Sequence, residues 1–195
     1  DVDDYMAENR IDKVLSKLKG NDIVVNDLTL FNEAGIIEDK YFSNRLKNNT
    51  NLNLDDIRQK NLFGLSNSAL KLANLDLLTI PADITVADWY IFSYLLAQGK
   101  SAVFTNETIS FYRRHDPNQV GMGNYSDKAI LENLHVKRKH FFYMKQLVKE
   151  YQELYDQTVD LINNFPRMRS SIISQLTKNK HPLWWEETET LYEKN

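Results

Sequence analysis

Three short stretches of the chain carry residues that could perform chemistry. The first is Asp1-Val2-Asp3, in which two carboxylates stand two residues apart. In an extended segment such residues point to the same side. Two carboxylates on one side can hold a hard divalent ion such as Mg²⁺ or Mn²⁺. A solvated acidic N-terminus is the alternative interpretation of the tripeptide.

The second stretch is Ala87-Asp88-Trp89, at the start of an apolar segment that is predicted to form a helix. Asp88 has two interpretations. It is a first-turn carboxylate that the helix dipole favours, or a general base that takes a proton from an attacking hydroxyl. The helix N-terminus is expected to keep the carboxylate ionised, as a base must be. Trp89 lies on a helix that is apolar on nearly all sides, which favours core packing over contact with a sugar.

The third stretch is Tyr112-Arg113-Arg114-His115, with Asn118 three residues further on. Arginine side chains suit diphosphate oxygens because their planar forks match them. An imidazole can ligate a metal. A surface loop with incidental charges is the alternative interpretation.

In this order, the three stretches resemble the second half of an inverting family 2 glycosyltransferase of the GT-A fold. The resemblance covers residues 1–123, and its most distinctive part is the match to the family's Tyr-Arg-x-His-x-x-Asn segment. The family often has Glu-Asp-Trp or Asp-Asp-Trp where this chain has Ala87 before Asp88. The resemblance implies metal-dependent transfer of a sugar from a nucleotide-diphosphate donor to an acceptor hydroxyl, with inversion. Bacterial-type synthesis of cell-surface polysaccharide or glycoconjugate is the expected setting.

The resemblance also implies a role for each candidate site residue. Asp88 is the expected catalytic base. The expected ligands of the donor diphosphate are Asp1, Asp3, Arg113 and Arg114. The expected ligands of a divalent metal, Mn²⁺ or Mg²⁺, are Asp1, Asp3 and His115. The expected acceptor-side residues are Ser66, Asn67 and Trp89, although the segment 64–68 is equally well explained as a turn before a core element.

The pattern of apolar residues predicts alternating helices and strands over the first 124 residues. The predicted helices are 5–19, 54–60 and 86–98. The predicted strands are 23–31, 36–42, 102–104 and 108–112, with a polar loop at 47–53. This alternation indicates an α/β sandwich with a largely parallel sheet. The resemblance makes it a partial GT-A-like core.

Residues 125–195 are predicted to form an α-helical extension. No Gly or Pro occurs from 126 to 164, and apolar residues from Met144 to Phe165 recur with a heptad-like rhythm. Short helices are expected at 168–176 and from 183. The stripe contains Tyr151, Tyr155 and Thr158, which suit a two-stranded seam poorly, so packing on the chain's own core is favoured over a homodimer. Trp184 and Trp185 are expected to help close that contact.

Composition bounds the class of protein. The chain has 195 residues, 42% hydrophobic and 26% charged, with a net charge of −3, so nothing favours binding to nucleic acid. Cysteine is absent, which excludes disulfides and permits a cytoplasmic location. No apolar run reaches the roughly 20 residues of a membrane span. The basic cluster 137–140 could make peripheral contact at the inner face of a membrane, although a solvated helix face is the commoner explanation.

Two classes of function therefore remain open. In the first, the chain is the catalytic C-terminal part of a sugar transferase that acts on a saccharide or lipid-linked acceptor. The first half of its core is then expected upstream of Asp1, and the isolated piece is expected to be inactive. In the second, it is a non-catalytic binding or scaffold module that docks a partner through its helical extension. Ala87 favours the second class, whereas the joint presence of Asp1, Asp3, Asp88 and the third stretch favours the first.

Overall fold

The computed structural model describes residues 3–75, 78–114, 126–177 and 188–192. Within these ranges the chain is a mixed α/β protein with one six-stranded sheet. The strands are β1 (Tyr5–Met6), β2 (Ile23–Asn32), β3 (Gly35–Glu38), β4 (Asn51–Leu52), β5 (Ser68–Leu70) and β6 (Ala102–Arg113). The α-helices are α1 (Arg10–Leu18), α2 (Leu54–Ile57), α3 (Ala87–Ala97), α4 (Asp127–Met144), α5 (Tyr151–Asn163) and α6 (Phe165–Leu176). Short 3₁₀ turns occur at Leu72–Leu75 and Glu189–Tyr192.

The two long strands, β2 and β6, lie side by side and are parallel. The other pairings in the described ranges are antiparallel: β1 and β4 pair with β6, and β3 and β5 pair with β2. The prediction of a largely parallel sheet is therefore wrong. Parallel neighbours need a long crossover, which β2 and β6 have, whereas a strand that returns through a short turn, such as β3, must run antiparallel.

Two predicted element boundaries are corrected at β1 and β6. The predicted helix 5–19 begins only at Arg10, because Tyr5 and Met6 are extended and pair with Phe111 and Ser110. The two predicted strands 102–104 and 108–112 are one continuous strand. A register shift makes this possible, since Asn26 pairs with Thr105 but Asp27 pairs with Ile109. The polar residues between are accommodated as an irregularity of the strand.

The short elements around α2 also differ in length from their predictions. Strand β3 ends at Glu38, before buried Tyr41 and Phe42 turn into the core. Strand β4 lies in the predicted loop 47–53. Helix α2 ends at Ile57, and a capping box between Asn53 and Asp56 fixes its start. Helix α3 agrees with its predicted range to within one residue at each end.

Within its described ranges, 126–177 and 188–192, the C-terminal region is helical as predicted, but its stripe does not lie on a single helix. Met144 ends α4, and α5 begins at Tyr151. Leu147 lies in the connection and is 44% exposed. The turn lets α5 fold back on α4, so that Tyr151 packs on Phe141 with ring centroids 5.8 Å apart. An unbroken helix would have carried these side chains past the core.

One hydrophobic core joins the sheet to the helical extension. It includes Leu28 and Leu30 of β2, Phe92 of α3, Phe141 of α4 and Leu154 of α5. The part of the stripe that lies on α5 packs on the chain's own core, as predicted, and the choice between monomer and homodimer stays a prediction. Trp184 and Trp185, together with the start of the helix predicted from 183, lie outside the described residues. A smaller cluster on the other face of the sheet lies under α1. None of the described helices combines the length and apolarity needed to cross a membrane.

Candidate functional site

The core face of the sheet opens into a cavity of about 320 Å³, called here the Asp88 cavity. Five separate parts of the chain form its walls: Leu28 of β2, Phe42 after β3, the segment 61–67 before β5, the start of α3 with the residues before it, and Tyr112 near the end of β6. Its described lining residues are Leu28, Phe42, Asn61, Leu62, Gly64, Leu65, Ser66, Asn67, Thr85, Val86, Ala87, Asp88 and Tyr112. The predicted residues Asp88, Ser66 and Asn67 therefore meet in one place.

Asp88 lies in the first turn of α3, where its Oδ1 accepts a hydrogen bond from the backbone N–H of Trp89 at 2.8 Å. Burial raises the pKa of Asp88. The Trp89 N–H and a hydrogen bond from the Asn61 side chain act in the opposite direction on that pKa, but less strongly. Desolvation thus has a larger effect on the pKa of Asp88 than the N–H at the start of α3, and the expectation that Asp88 is ionised stays a prediction.

The segment 61–67 is held by its own polar side chains. Asn67 is 1% exposed, and its Oδ1 accepts from the Gly64 N–H at 2.8 Å. Its Nδ2 donates to the carbonyl oxygens of Asn26 and Leu62, each at 3.2 Å. The side chain of Asn67 therefore shapes the cavity wall, and its hydrogen-bonding groups are used within the protein. The acceptor-side role predicted for Asn67 is in this respect indirect.

Ser66 links the cavity wall to the acidic N-terminal stretch. Its hydroxyl donates to Oδ2 of Asp4, and Oδ1 of Asp4 accepts from the backbone N–H of Arg113 at 3.0 Å. Asp4 thus joins 61–67 to the end of β6. Asp4 belongs to the acidic N-terminal stretch, but sequence reasoning gave it no role, because the Asp-x-Asp spacing selects Asp1 and Asp3.

Tyr112 is affected by the charges of three acidic side chains. Burial raises the pKa of its phenol, and the negative charges of Asp4, Asp3 and Asp88 raise it further, while Arg114 lowers it. Tyr112 belongs to the third sequence stretch, but only its neighbours were assigned roles there. Its position in the cavity lining brings the start of that stretch beside Asp88.

The two arginines of the third stretch lie next to the cavity without lining it. The guanidinium carbon of Arg113 is 4.8 Å from the ring centroid of Phe31, and the backbone N–H of Arg114 donates to the Phe31 carbonyl at 2.8 Å. Nε of Arg113 and Nη1 of Arg114 are buried and have no hydrogen-bond partner among the described residues. Both guanidinium groups thus retain a donor for a further oxygen.

Trp89 is a packing residue. It is 1% exposed, and its ring stacks on His140 of α4 with centroids 3.7 Å apart. Its Nε1 donates to the Ile57 carbonyl at 2.7 Å. The acceptor-side role expected for Trp89 does not fit this position, because all these contacts lie inside the protein and the side chain does not line the Asp88 cavity.

Only one of the three predicted metal ligands lies in the described part of the chain. Asp1 and His115 lie outside the described residues, whereas Asp3 is described and acts electrostatically on Tyr112. The described ranges contain no group of three or more metal-ligating side chains. The oxygen chemistry of Asp3 fits Mg²⁺ or Mn²⁺, but the full ligand set remains a prediction.

Asn61 was not recognised from the sequence. It is 6% exposed, its Oδ1 accepts from the Phe63 N–H at 3.0 Å, and its side chain also hydrogen-bonds to Asp88. Nothing in its local sequence distinguishes it from the other asparagines of the chain.

Comparison with known proteins adds no family assignment. No protein-family model matches the chain. A comparison with curated proteins gives no significant match either.

Proposed function

We propose that the chain is the acceptor side of a GT-A-like sugar transferase that uses a nucleotide-diphosphate donor and inverts the anomeric centre. The observation that carries the proposal is the meeting of Asp88, Ser66, Asn67 and Tyr112 in one cavity, from segments that are far apart in sequence. A buried carboxylate next to a phenol and a hydroxyl is a suitable environment for proton transfer from an alcohol.

In this proposal Asp88 is the general base. It accepts the proton of the acceptor hydroxyl while that oxygen attacks the anomeric carbon. The bond from the anomeric carbon to the diphosphate oxygen breaks, and the nucleoside diphosphate leaves with its electron pair. Because burial raises the pKa of Asp88, its carboxylate is a stronger base than an exposed aspartate and remains useful near neutral pH.

In this proposal the donor diphosphate binds beside the cavity, at the end of β6. Arg113 and Arg114 each keep a buried N–H without a partner in the described part of the chain, and guanidinium groups bind phosphate oxygens well. A divalent cation bound by Asp1, Asp3 and His115 would neutralise negative charge on the departing diphosphate.

The test is Asp88→Asn in the intact protein. The amide keeps the size of the side chain but cannot accept the proton. We expect loss of transfer of at least about 100-fold, with donor binding unchanged. Asp12→Asn, on the exposed side of α1, is the matched control and should retain full activity. If Asp88→Asn turned over at a near-normal rate, the assignment of the base would be wrong. Failure of the unaltered intact protein to transfer any sugar would favour the scaffold function.

A further inference from the structure

The charge carried by the described walls of the Asp88 cavity is negative, and the arginines beside the cavity do not line it. Asp88 is the one charged side chain among its described lining residues. Asp4 lies directly behind Ser66, and Asp3 and Asp4 both act on Tyr112. No Lys, Arg or His side chain lines the described walls.

The polar groups of the walls are largely committed to the protein itself. Both ends of the Asn67 amide are hydrogen-bonded within the chain. Oδ1 of Asn61 accepts a hydrogen bond from the backbone N–H of Phe63, and the Ser66 hydroxyl donates a hydrogen bond to Asp4. Thr85 and Tyr112 also bring hydroxyl groups to the described walls, but the carboxylate of Asp88 is the one charged group, and hence the strongest hydrogen-bond acceptor, that these walls offer to a ligand. Because that group only accepts hydrogen bonds when ionised, the ligand must bring its own donor.

The remaining walls are apolar. Leu28, Leu62 and Val86 contribute to them, and Leu65 stands at the cavity with 67% of its surface exposed. An exposed leucine at a cavity is free to cover an apolar patch of a ligand. A hydroxylated ring offers both features, since it carries O–H donors at its edge and C–H groups on its faces.

We propose that the Asp88 cavity takes a hydroxyl-bearing ring without an anionic group, and that it discriminates against the same ring bearing a carboxylate or phosphate. The inference rests on the proposed function and names the acceptor class for it. An anionic substituent would lie near Asp88 with no cation on the described walls to compensate it. Leu65 would cover the C–H face of the ring, while Asp88 receives a hydroxyl.

The test compares two probes of nearly the same shape, methyl β-glucopyranoside and methyl β-glucuronopyranoside. Binding to the isotope-labelled chain is followed by NMR chemical-shift titration at neutral pH and low ionic strength. We expect both probes to shift amides of 61–67 and 85–88. The glucuronide should bind about fivefold more weakly, which is the effect of one like-charge contact in water at about 4 Å.

Three variants separate charge from shape. Asp88→Asn should remove most of the difference between the probes, because it removes the repelling charge. Leu65→Ser should weaken both probes equally. Leu72→Ser is its matched control, since Leu72 is 79% exposed and does not line the cavity, and it should change neither affinity.

Equal or tighter binding of the glucuronide, or shifts confined to other parts of the chain, would overturn the inference. The proposed function fails in a different way. If Asp88→Asn kept transferring sugar while it lost discrimination between the probes, the function would be wrong and the inference would stand. If the intact protein transferred sugar preferentially to the glucuronide, the inference would be wrong and the function would stand.

Discussion

Asp88 experiences opposing effects from its surroundings. Burial favours its neutral form, while the N–H of Trp89 and the side chain of Asn61 favour its charged form. The balance raises the pKa, which is the direction that makes a carboxylate a better proton acceptor. Asp88 thus does more than accept a hydrogen bond at the start of α3: it also lines the cavity and accepts a second hydrogen bond from Asn61.

At the same scale, Asp3 allows a test of the predicted metal. In the intact protein, Mn²⁺ with a nucleoside diphosphate should raise the melting temperature, because a ligand bound only to the native state stabilises it by about 2.7 kcal/mol at about 100 times Kd. Asp3→Ala should show little of this shift in a thermal melt. Asp12→Ala on α1 is the control and should keep it. An equal shift in Asp3→Ala and the unaltered protein would place the metal elsewhere.

At the scale of elements, the segment 61–67 depends on a glycine. A Cβ on Gly64 would lie 2.9 Å from Oδ1 of Asn67, the atom that accepts the Gly64 N–H. Gly64→Ala should therefore lower the free energy of unfolding by about 1–3 kcal/mol, as measured by urea denaturation.

Gly20 supplies the matched control for that substitution. A Cβ there would have no neighbour within 4 Å, so Gly20→Ala should change the free energy of unfolding by less than about 0.5 kcal/mol. If both variants were equally stable, Gly64 would not be required for the shape of the cavity wall.

Helix α4 supports the cavity from behind. Lys137, 1% exposed, donates from Nζ to the Gln59 carbonyl at 2.6 Å, just before the segment 61–67. Tyr143 donates to Oδ1 of Asp83 at 2.5 Å, just before the residues that lead into α3. The helical extension thus contacts the chain just before each of these two walls, which gives it a structural part near the site that its sequence alone did not suggest.

The helices and strands differ in how well they could be predicted from the sequence. Helix α3 was predicted well because it is a long, strongly apolar run, and strand β2 because it begins with three β-branched apolar residues and ends in alternating ones. Strands β1 and β4 were missed because each has two residues and exists only through its pairing with β6. The turn between α4 and α5 was missed because no Gly or Pro marks it.

The same limits apply to the site. The sequence predicted that Asp88, Ser66 and Asn67 belong together, through their resemblance to a family pattern, and the cavity brings them together. The contributions of Asn61 and Asp4 come from tertiary contacts to residues 27 and 62 positions away, respectively. No local pattern encodes such contacts.

At the scale of the whole molecule, we expect one buried imidazole to make the shared core sensitive to acid. His140 is 1% exposed, stacks on Trp89, and has its Nδ1 without a hydrogen-bond partner within the described ranges. Burial, and to a smaller extent the charge of Lys137, hold its pKa well below the ordinary value. Below about pH 6.5 His140 therefore binds a proton in the unfolded chain but not in the folded chain.

We accordingly expect the free energy of unfolding to fall with decreasing pH below about 6.5, by up to about 1.4 kcal/mol per pH unit from this one group. His140→Phe should flatten that part of the stability curve in urea titrations at several pH values. His135→Asn, on the exposed side of α4, should leave the slope as it is. An unchanged slope in His140→Phe would show that other groups cause the acid sensitivity.

The most direct test of the central claim is the pH dependence of kcat/KM for sugar transfer, measured for the intact protein and for its Asn61→Leu variant. If Asp88 is the base, the rate should rise with pH through an inflection above the ordinary aspartate pKa of about 3.9. Asn61→Leu removes a hydrogen bond that lowers the pKa of Asp88, so the inflection should move to higher pH. An inflection at the same pH in both proteins would contradict the assignment of Asp88 as the base in this cavity.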